Sequence, residues 1–419
     1  MAKLSILCTA DLHLGRSSAC LIRPEGVDVS AVGAWRRIVD RAISGSADAV
    51  VIAGDVFDSS GSFYETREAF RDGLRRLEAE EIPVLAVTGN HDYEALRRFG
   101  SFYKSPHFHL LGLQGWEAKV VQTKSGPVRF VGWSFSDAKE TRSRLQELQA
   151  LDSEYINLGL VHGDIATGSP YHPLEIAELN RLADSWTLGH VHAPGIAAAK
   201  WAYPGSPQAL DFGPGERDRH GIRWITAGDR GPTISDVEPI STVFFAETVL
   251  EAELAQDQRP WDAALEAAES YVNRVLAAHP GVESVQIRAQ VNFPCGIALP
   301  GLEERAEPLG DGTHAVLFTH FSSEAPVDLT AYLASPTYLG ELANLLVGSA
   351  GPQFEAILQE CTAEVARNYA SIIGAVQDAG DSERRFLEPA EARAQAEQLL
   401  RVGMLEMVSK VHPQGGVIG

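Results

Sequence analysis

The chain is short of cysteine, of long apolar runs and of positive charge, and each shortage excludes a class of protein. Four cysteines in 419 residues, at positions 8, 20, 295 and 361, form no C-x-x-C pair and no disulfide framework, which argues against a stapled secreted scaffold. No apolar run approaches the ~20 residues that a membrane span requires. Met1-Ala2-Lys3 is followed at once by a strand-like segment, leaving no room for a removable signal peptide. These readings set the expectation of a reduced, cytoplasmic protein without a membrane partner. Base is scarce as well: the formal net charge is −21, which would repel a nucleic acid. The deficit is uneven, with 25 Lys and Arg against 31 Asp and Glu up to residue 240 and 10 against 25 beyond it. At 45% hydrophobic residues the chain can bury a large core, and its length suggests two or three domains. No internal repeat is found.

What is present is a series of five short clusters in the first half: Asp11-Leu12-His13, Gly54-Asp55-Val56-Phe57-Asp58, Gly89-Asn90-His91-Asp92, His162-Gly163 and Gly189-His190-Val191-His192. Each follows a short apolar run that reads as a buried strand: Leu4 to Cys8, Ala49 to Ala53, Pro83 to Val87, Ile156 to Val161 and Trp186 to Leu188. Ligands at the carboxyl ends of successive strands converge on one crevice, where open α/β sheets place their sites. A pair of divalent ions on a phosphate needs a bridging carboxylate, neutral imidazoles and oxygen ligands, and these clusters supply that inventory. Any one cluster alone is an ordinary turn sequence. Five in this order, each after a strand, point to a two-metal phosphoesterase site.

With these motifs the chain resembles the calcineurin-like metallophosphoesterases over roughly residues 3 to 240. Ala10-Asp11-Leu12-His13-Leu14-Gly15, Ala53-Gly54-Asp55-Val56-Phe57-Asp58 and Tyr203-Pro204-Gly205-Ser206-Pro207 tilt the resemblance toward SbcD-type DNA repair nucleases. The resemblance implies an α/β fold: a metallophosphoesterase αβ-sandwich over 1–240, a small α/β capping domain over 241–330, and a C-terminal helical segment over 331–419. It also implies one metal ion held by Asp11, His13, Asp55 and His192, and a second held by Asp55, Asn90, His162 and His190. Manganese is the first expectation, and the ligand types leave iron and zinc open. His91 is the implied catalytic residue, stabilising or protonating the leaving oxygen, with Asp92 orienting its ring. Asp58 either supports a ligand histidine or caps a helix. The implied partners are DNA, an SbcC-type ATPase docked on the C-terminal helices, and a second copy of the chain met through the helices around 63–80 and 93–103.

Other residues carry weaker readings. Arg67, Arg71 and Arg75 align at i, i+4 and i+8 as a candidate track for a phosphate backbone, or as a solvated face paired with Glu68 and Asp72. Ser206 is a candidate substrate contact, and Arg97, Arg98, Lys104, Lys139, Arg142 and Arg144 are further candidates for backbone contact. His107, His109, His172 and His220 read as packing or surface histidines, and Trp133 and Trp201 as core. Beyond Ser241 the pattern reads as a strand over 243–254, a helix over 261–278, strands over 284–291 and 315–320, and a loop or loose hairpin over 294–312. Helical spacing continues from Phe354 to Val376 and from Pro389 to Val411. Two other functions stay open: a hydrolase of small phosphodiesters or cyclic nucleotides on the same site, and a regulatory subunit whose site is idle.

Overall fold

The structure is a computed structural model, and it describes residues 4–58, 64–165, 169–217, 219–228, 231–294, 299, 301–323, 344 and 354–362. The chain divides into two compact units, Met1–Phe293 with Leu299–Ser322, and Pro294–Ala298 with Ser323–Gly419. The first unit begins β1 (Leu4–Thr9), α1 (Ala31–Ser44), β2 (Ala49–Ala53), α2 (Tyr64–Ala79), β3 (Val84–Val87), α3 (Ala95–Phe102) and β4 (Phe108–Leu110). It continues β5 (Glu117–Thr123), β6 (Gly126–Trp133), β7 (Ile156–His162), α4 (Ile176–Leu182), β8 (Ser185–Gly189) and β9 (Trp201–Ala202). Last come β10 (Gly221–Gly228), β11 (Gly231–Ile234), β12 (Glu238–Pro239), β13 (Val243–Glu251), α5 (Pro260–Ala278), β14 (Ser284–Asn292), β15 (Arg305–Leu309) and β16 (His314–Ser322).

Two sheets face each other. The first has the order β11-β10-β1-β2-β3-β4, parallel from β1 to β4, with β10 antiparallel to β1. The second has the order β5-β6-β7-β8-β9, parallel from β6 onward. The apolar runs split by strand periodicity, which sends alternate side chains to opposite faces. Leu4, Ile6, Cys8, Ala49, Val51, Leu85 and Val87 meet Val121, Val128, Phe130, Leu158 and Leu160 of the second sheet. On the other face Leu7, Val50, Ile52, Val84 and Ala86 pack with Trp35, Ile38 and Val39 of α1, Phe70, Leu74 and Leu77 of α2, and Leu96 and Phe99 of α3. The far face of the second sheet packs Val131, Val161, Trp186 and Leu188 against Leu179 and Leu182 of α4. Strands buried on both faces explain why the sequence reads as continuous apolar runs. The result is a helix, sheet, sheet, helix layering. Trp133 and Trp201, both 6% exposed, belong to its core as expected.

The third sheet, in the order β13-β14-β16-β15, carries α5 across its connection. Its strands and helix fall within a residue or a few of the segments expected from spacing, and within the expected 294–312 loop or hairpin β15 pairs antiparallel with β16. A satellite core of Val29, Ala209, Phe212, Val243 and Phe245 ties this sheet to the loop after β1 and the loop after β9. In the second unit residues 354–362 are helical, with Phe354 and Leu358 buried and Cys361 packed on them. The rest of the helical spacing from 363 onward lies outside the described residues, as do residues 59–63.

Candidate metal centre

The clusters sit where the strands end. Asp11 and His13 follow β1, Asp55 follows β2, Asn90 and His91 follow β3, His162 closes β7, and His190 and His192 follow β8. The loops are drawn together by backbone bonds: the Asp11 amide donates to Gly54 O (3.1 Å) and the His13 amide to Asp55 O (3.0 Å). Asp11, His13, Asp55 and His190 all adopt left-handed backbone with φ of 50, 43, 50 and 98°, a conformation that costs non-glycine residues free energy. Four such residues in one cleft show that the surrounding loops hold a costly backbone there. Gly189 ends β8 beneath the Ala53 carbonyl, so that any β-carbon would lie inside van der Waals contact of that oxygen.

The side chains converge. Asp11, His13 and His192 bring ligand atoms within 4.8 Å of one another, and so do Asp11, Asp55 and His162, and His13, Asp58 and His91. The Asp55 Oδ2 atom lies 3.3 Å from His162 Nε2, and the same nitrogen lies 2.9 Å from Asn90 Oδ1. His13 Nε2 and His192 Nε2 face each other at 3.0 Å. The His162 Nδ1–H donates to Ala53 O (3.0 Å), which turns Nε2 toward Asp55 and Asn90. Half-buried His190 lies with its ring 4.7 Å from Tyr171 and 5.3 Å from His162, and its amide donates to both Asp11 oxygens (3.0 and 3.2 Å).

Electrostatics report what the cleft wants. Asp11 and Asp55 are buried, at 1% and 2% exposure. Burial raises the Asp11 carboxyl, while for Asp55 the opposing charges and hydrogen bond of His162 outweigh burial and hold it well below the usual range. Burial disfavours charge on His162, yet Asp55 and Asp11 together lift its pKa to about 9. Desolvation and His162 push His190 the other way, well below its ordinary value. Two buried carboxylates thus draw positive charge onto His162, while His190 stays neutral. The donor set suits hard-to-borderline divalent cations, with imidazole nitrogens, carboxylates and one amide oxygen around a common space. These residues fit a pair of metal ions.

Two expected site residues, Asp92 and Ser206, are placed differently from the sequence reading. Asp92 is fully buried, and its oxygens accept from the amides of Val56 (2.7 Å), Phe57 (3.4 Å) and Gly89 (2.8 Å). It therefore staples the Asp55 loop to the Asn90 loop rather than orienting the His91 ring, because three amides outcompete one imidazole for a buried carboxyl. Burial and Asp55 raise its pKa to about 7. Ser206 is 1% exposed, its amide donating to His192 O (3.2 Å) and its hydroxyl to Glu216 Oε2 (3.4 Å), so it lies behind the ligands and not on a substrate surface. On α2, Arg71 is ion-paired with Glu68 and Arg75 with Asp72, the solvated-face arrangement. Arg67 is half-buried on the same helix.

The remaining expectations keep their places. Half-buried His91 sets its ring edge-on to His13 at 5.1 Å, and its amide donates to Asp55 Oδ1 (3.0 Å). Asp58 lies 3.5 Å from His13 Nδ1. Sequence reading missed Glu216, whose carboxylate lies 2.6 Å from His192 Nδ1, and Tyr203, whose hydroxyl donates to Gly163 O (2.9 Å). Glu216 lies in a Gly- and Pro-rich loop 24 residues from His192, and nothing in its spacing announces the pairing.

Residues 4–201 match the family described as calcineurin-like phosphoesterase. Among curated proteins the chain is 22% identical over 222 residues to an uncharacterized metallophosphoesterase, YhaO, of Bacillus subtilis, covering 50% of this chain and 54% of that protein. It is 26% identical over 223 residues to the DNA double-strand break repair protein Mre11 of Methanopyrus kandleri, covering 48% of each. The chain thus spans about half the length of these relatives. A solved protein of Thermus thermophilus aligns over 56% of this chain and 99% of its own, at 14% identity and a TM-score of 0.34. No described helix is long and apolar enough to cross a membrane.

Proposed function

From the premise that residues 4–201 form a calcineurin-like metallophosphoesterase domain, we propose that the chain is a two-metal-dependent DNA nuclease of SbcD type, acting in repair or end processing. The observation that carries the reading is the convergence of two buried carboxylates, an amide and four imidazoles on one cleft. The similarity to Mre11 supports DNA as the substrate class. In this reading Asp11, His13, Asp55 and His192 hold one ion, Asp55, Asn90, His162 and His190 the other, and manganese is the ion used. When bound, such a pair neutralises phosphate charge and lowers the pKa of water.

The protein's own groups do the rest. Asp55 would belong to both ligand sets, and its Oδ1 accepts from the His91 amide, which sets the His91 ring at the edge of the cleft. His91, outside the proposed ligand set, gives a proton to the departing sugar oxygen. The staple made by Asp92 keeps the Asp55 and Asn90 loops at fixed separation. The protein works in the cytoplasm with an SbcC-type ATPase on the 331–419 segment, and its chains pair through α2 and α3, where Tyr64 is 73% and Phe102 82% exposed. The functional division is a nuclease domain over 1–240, a cap over 241–330 and the helical segment beyond.

A second reading, hydrolysis of small phosphodiesters, is favoured by the net charge of −21 and by the ion-paired arginines of α2. The test is cleavage of end-labelled duplex DNA with manganese, run beside bis-para-nitrophenyl phosphate, for wild type and His91→Ala. Metal-dependent shortening of DNA that His91→Ala abolishes supports the nuclease. Diester turnover without DNA cleavage moves the substrate to a small molecule, and no turnover of either substrate favours an idle regulatory subunit.

A further inference from the structure

Glu216 is a fully buried carboxylate with an unusual post. It stands at the end of a 3-10 turn, Pro214–Glu216, beyond the matched family segment. One oxygen accepts from His192 Nδ1 at 2.6 Å, and the other accepts from the Leu210 amide (2.9 Å) and the Ser206 hydroxyl (3.4 Å). His220 Nδ1–H donates to Ser206 O (2.7 Å), which closes the group from behind.

A buried carboxylate is costly to desolvate unless it is paired. Here the pairing settles two properties of one imidazole: the proton sits on Nδ1, and Nε2 is left as the donor facing His13 and Asp11. His162 solves the same problem differently, by bonding Nδ1 to a neutral carbonyl, Ala53 O. The two histidines are therefore not equivalent. The strap that carries Glu216 is anchored on the third sheet: Phe212 packs on Phe245 with centroids 4.7 Å apart, Arg288 lies 4.3 Å over the Phe212 ring, and Arg217 is ion-paired with Glu247.

We propose that Glu216 is a positioning residue that fixes the ring of His192, and that the third sheet, through the 209–217 strap, sets the affinity of one of the two metal positions. The inference rests on His192 being a metal ligand, as in the proposed function. Its readout is manganese binding ion by ion, by calorimetric titration or by electron paramagnetic resonance of free Mn²⁺, on the full chain. Wild type binds two ions. Glu216→Gln keeps its shape and loses its charge, and it weakens one ion about 10- to 100-fold while leaving the other unchanged. His192→Ala loses the same ion, and Glu216→Gln adds nothing further in that background. Phe212→Leu, on the far side of the strap, weakens that ion by a smaller factor.

A purely structural role gives a different pattern: Glu216→Gln lowers the melting temperature of the metal-free protein and leaves both affinities as in wild type, which overturns the proposal. Should Glu216→Gln not fold, Glu216→Asp replaces it, keeping the charge but shortening the reach, and the same single-ion weakening is required. If wild type binds fewer than two ions, or His192→Ala keeps both, the two-metal reading itself falls and this inference falls with it. Two ions in wild type with an unaffected Glu216→Gln sink only the inference.

Discussion

The two sheets of the sandwich contribute to the cleft in different chemical currencies. Of the proposed ligands, loops of the first sheet bring Asp11, Asp55 and Asn90 with the imidazole of His13, and loops of the second bring the imidazoles of His162, His190 and His192. The first half holds its carboxylates by backbone: left-handed φ at Asp11 and Asp55, amide bonds between the loops, and the Asp92 staple. The second half fixes two of its ligands by side-chain bonds, His162 on Ala53 O and His192 on Glu216. Carboxylates bind a cation in any ring geometry, whereas an imidazole needs one tautomer and one plane. The difference teaches that negative charge has to be placed and neutral donors have to be aimed.

The largest effect expected from that contrast is at Asp55, whose Oδ2 lies 3.3 Å from His162 of the second half and 3.9 Å from His13 of the first. Asp55→Asn abolishes binding of both ions and lowers diester turnover by about a thousandfold or more, whereas His162→Ala loses one ion only. Metal content by mass spectrometry decides it. Retention of one tightly bound ion in Asp55→Asn would mean that the two halves do not share a carboxylate.

The next effect belongs to the second half alone and appears in stability against pH. His172 is fully buried; its Nδ1–H donates to His162 O (3.2 Å) and its Nε2 accepts from the Arg144 amide (3.0 Å). Both bonds require the neutral ring, and desolvation pushes its pKa down to about 4. A histidine whose folded pKa lies below the ordinary value of about 6.5 leaves stability intact above that pH and erodes it as pH falls toward 4, because the unfolded chain takes up the proton first. The loss approaches about 3 kcal/mol at the acid end. His172→Gln flattens the slope of melting temperature between pH 6.5 and 4, and an unchanged slope would show that His172 is not held neutral.

Between the halves, Gly189 closes against Ala53 of the other sheet. Gly189→Ala forces the strands apart and costs about 1 to 3 kcal/mol of stability by denaturant titration, as overpacking of a filled site does. A cost below that range would mean that the two loops separate easily and that the ligand spacing is adjustable.

The sequence exposed the first half more fully than the second. Runs such as Ala49–Ala53 and Val84–Val87 are legible because strands buried on both faces must be apolar throughout, and the Asp and His that follow cannot belong to that core. The ligand histidines of the second half were legible for the same reason, after Ile156–His162 and Ser185–Gly189. The groups that aim them were not. Glu216 reaches His192 across 24 residues of loop, and His172 reaches the His162 carbonyl across a turn that only tertiary closure creates. The same blindness misplaced Asp92 and Ser206: position beside a ligand suggests a role on it, but burial and nearby amides decide where an oxygen bonds. Pairings of this kind depend on how loops from different strands meet, and no local spacing encodes that.

The smallest effect tests the surface against the cleft. Arg71 on α2 is ion-paired with Glu68 three residues earlier, both half-buried, and helix-surface pairs of this kind contribute about 0.5 kcal/mol or less. Arg67→Ala and Arg71→Ala are therefore expected to leave stability within that margin, small-diester turnover unchanged and DNA shortening within about twofold. If α2 instead tracks a phosphate backbone, each substitution weakens duplex binding and reduces its salt dependence by about one phosphate contact, while the small diester stays indifferent. Measuring DNA affinity at several salt concentrations separates the two. A drop in the salt slope would move DNA recognition onto this helix, and an unchanged slope would leave recognition to the metal cleft, whose cations offset the acid that the rest of the chain carries.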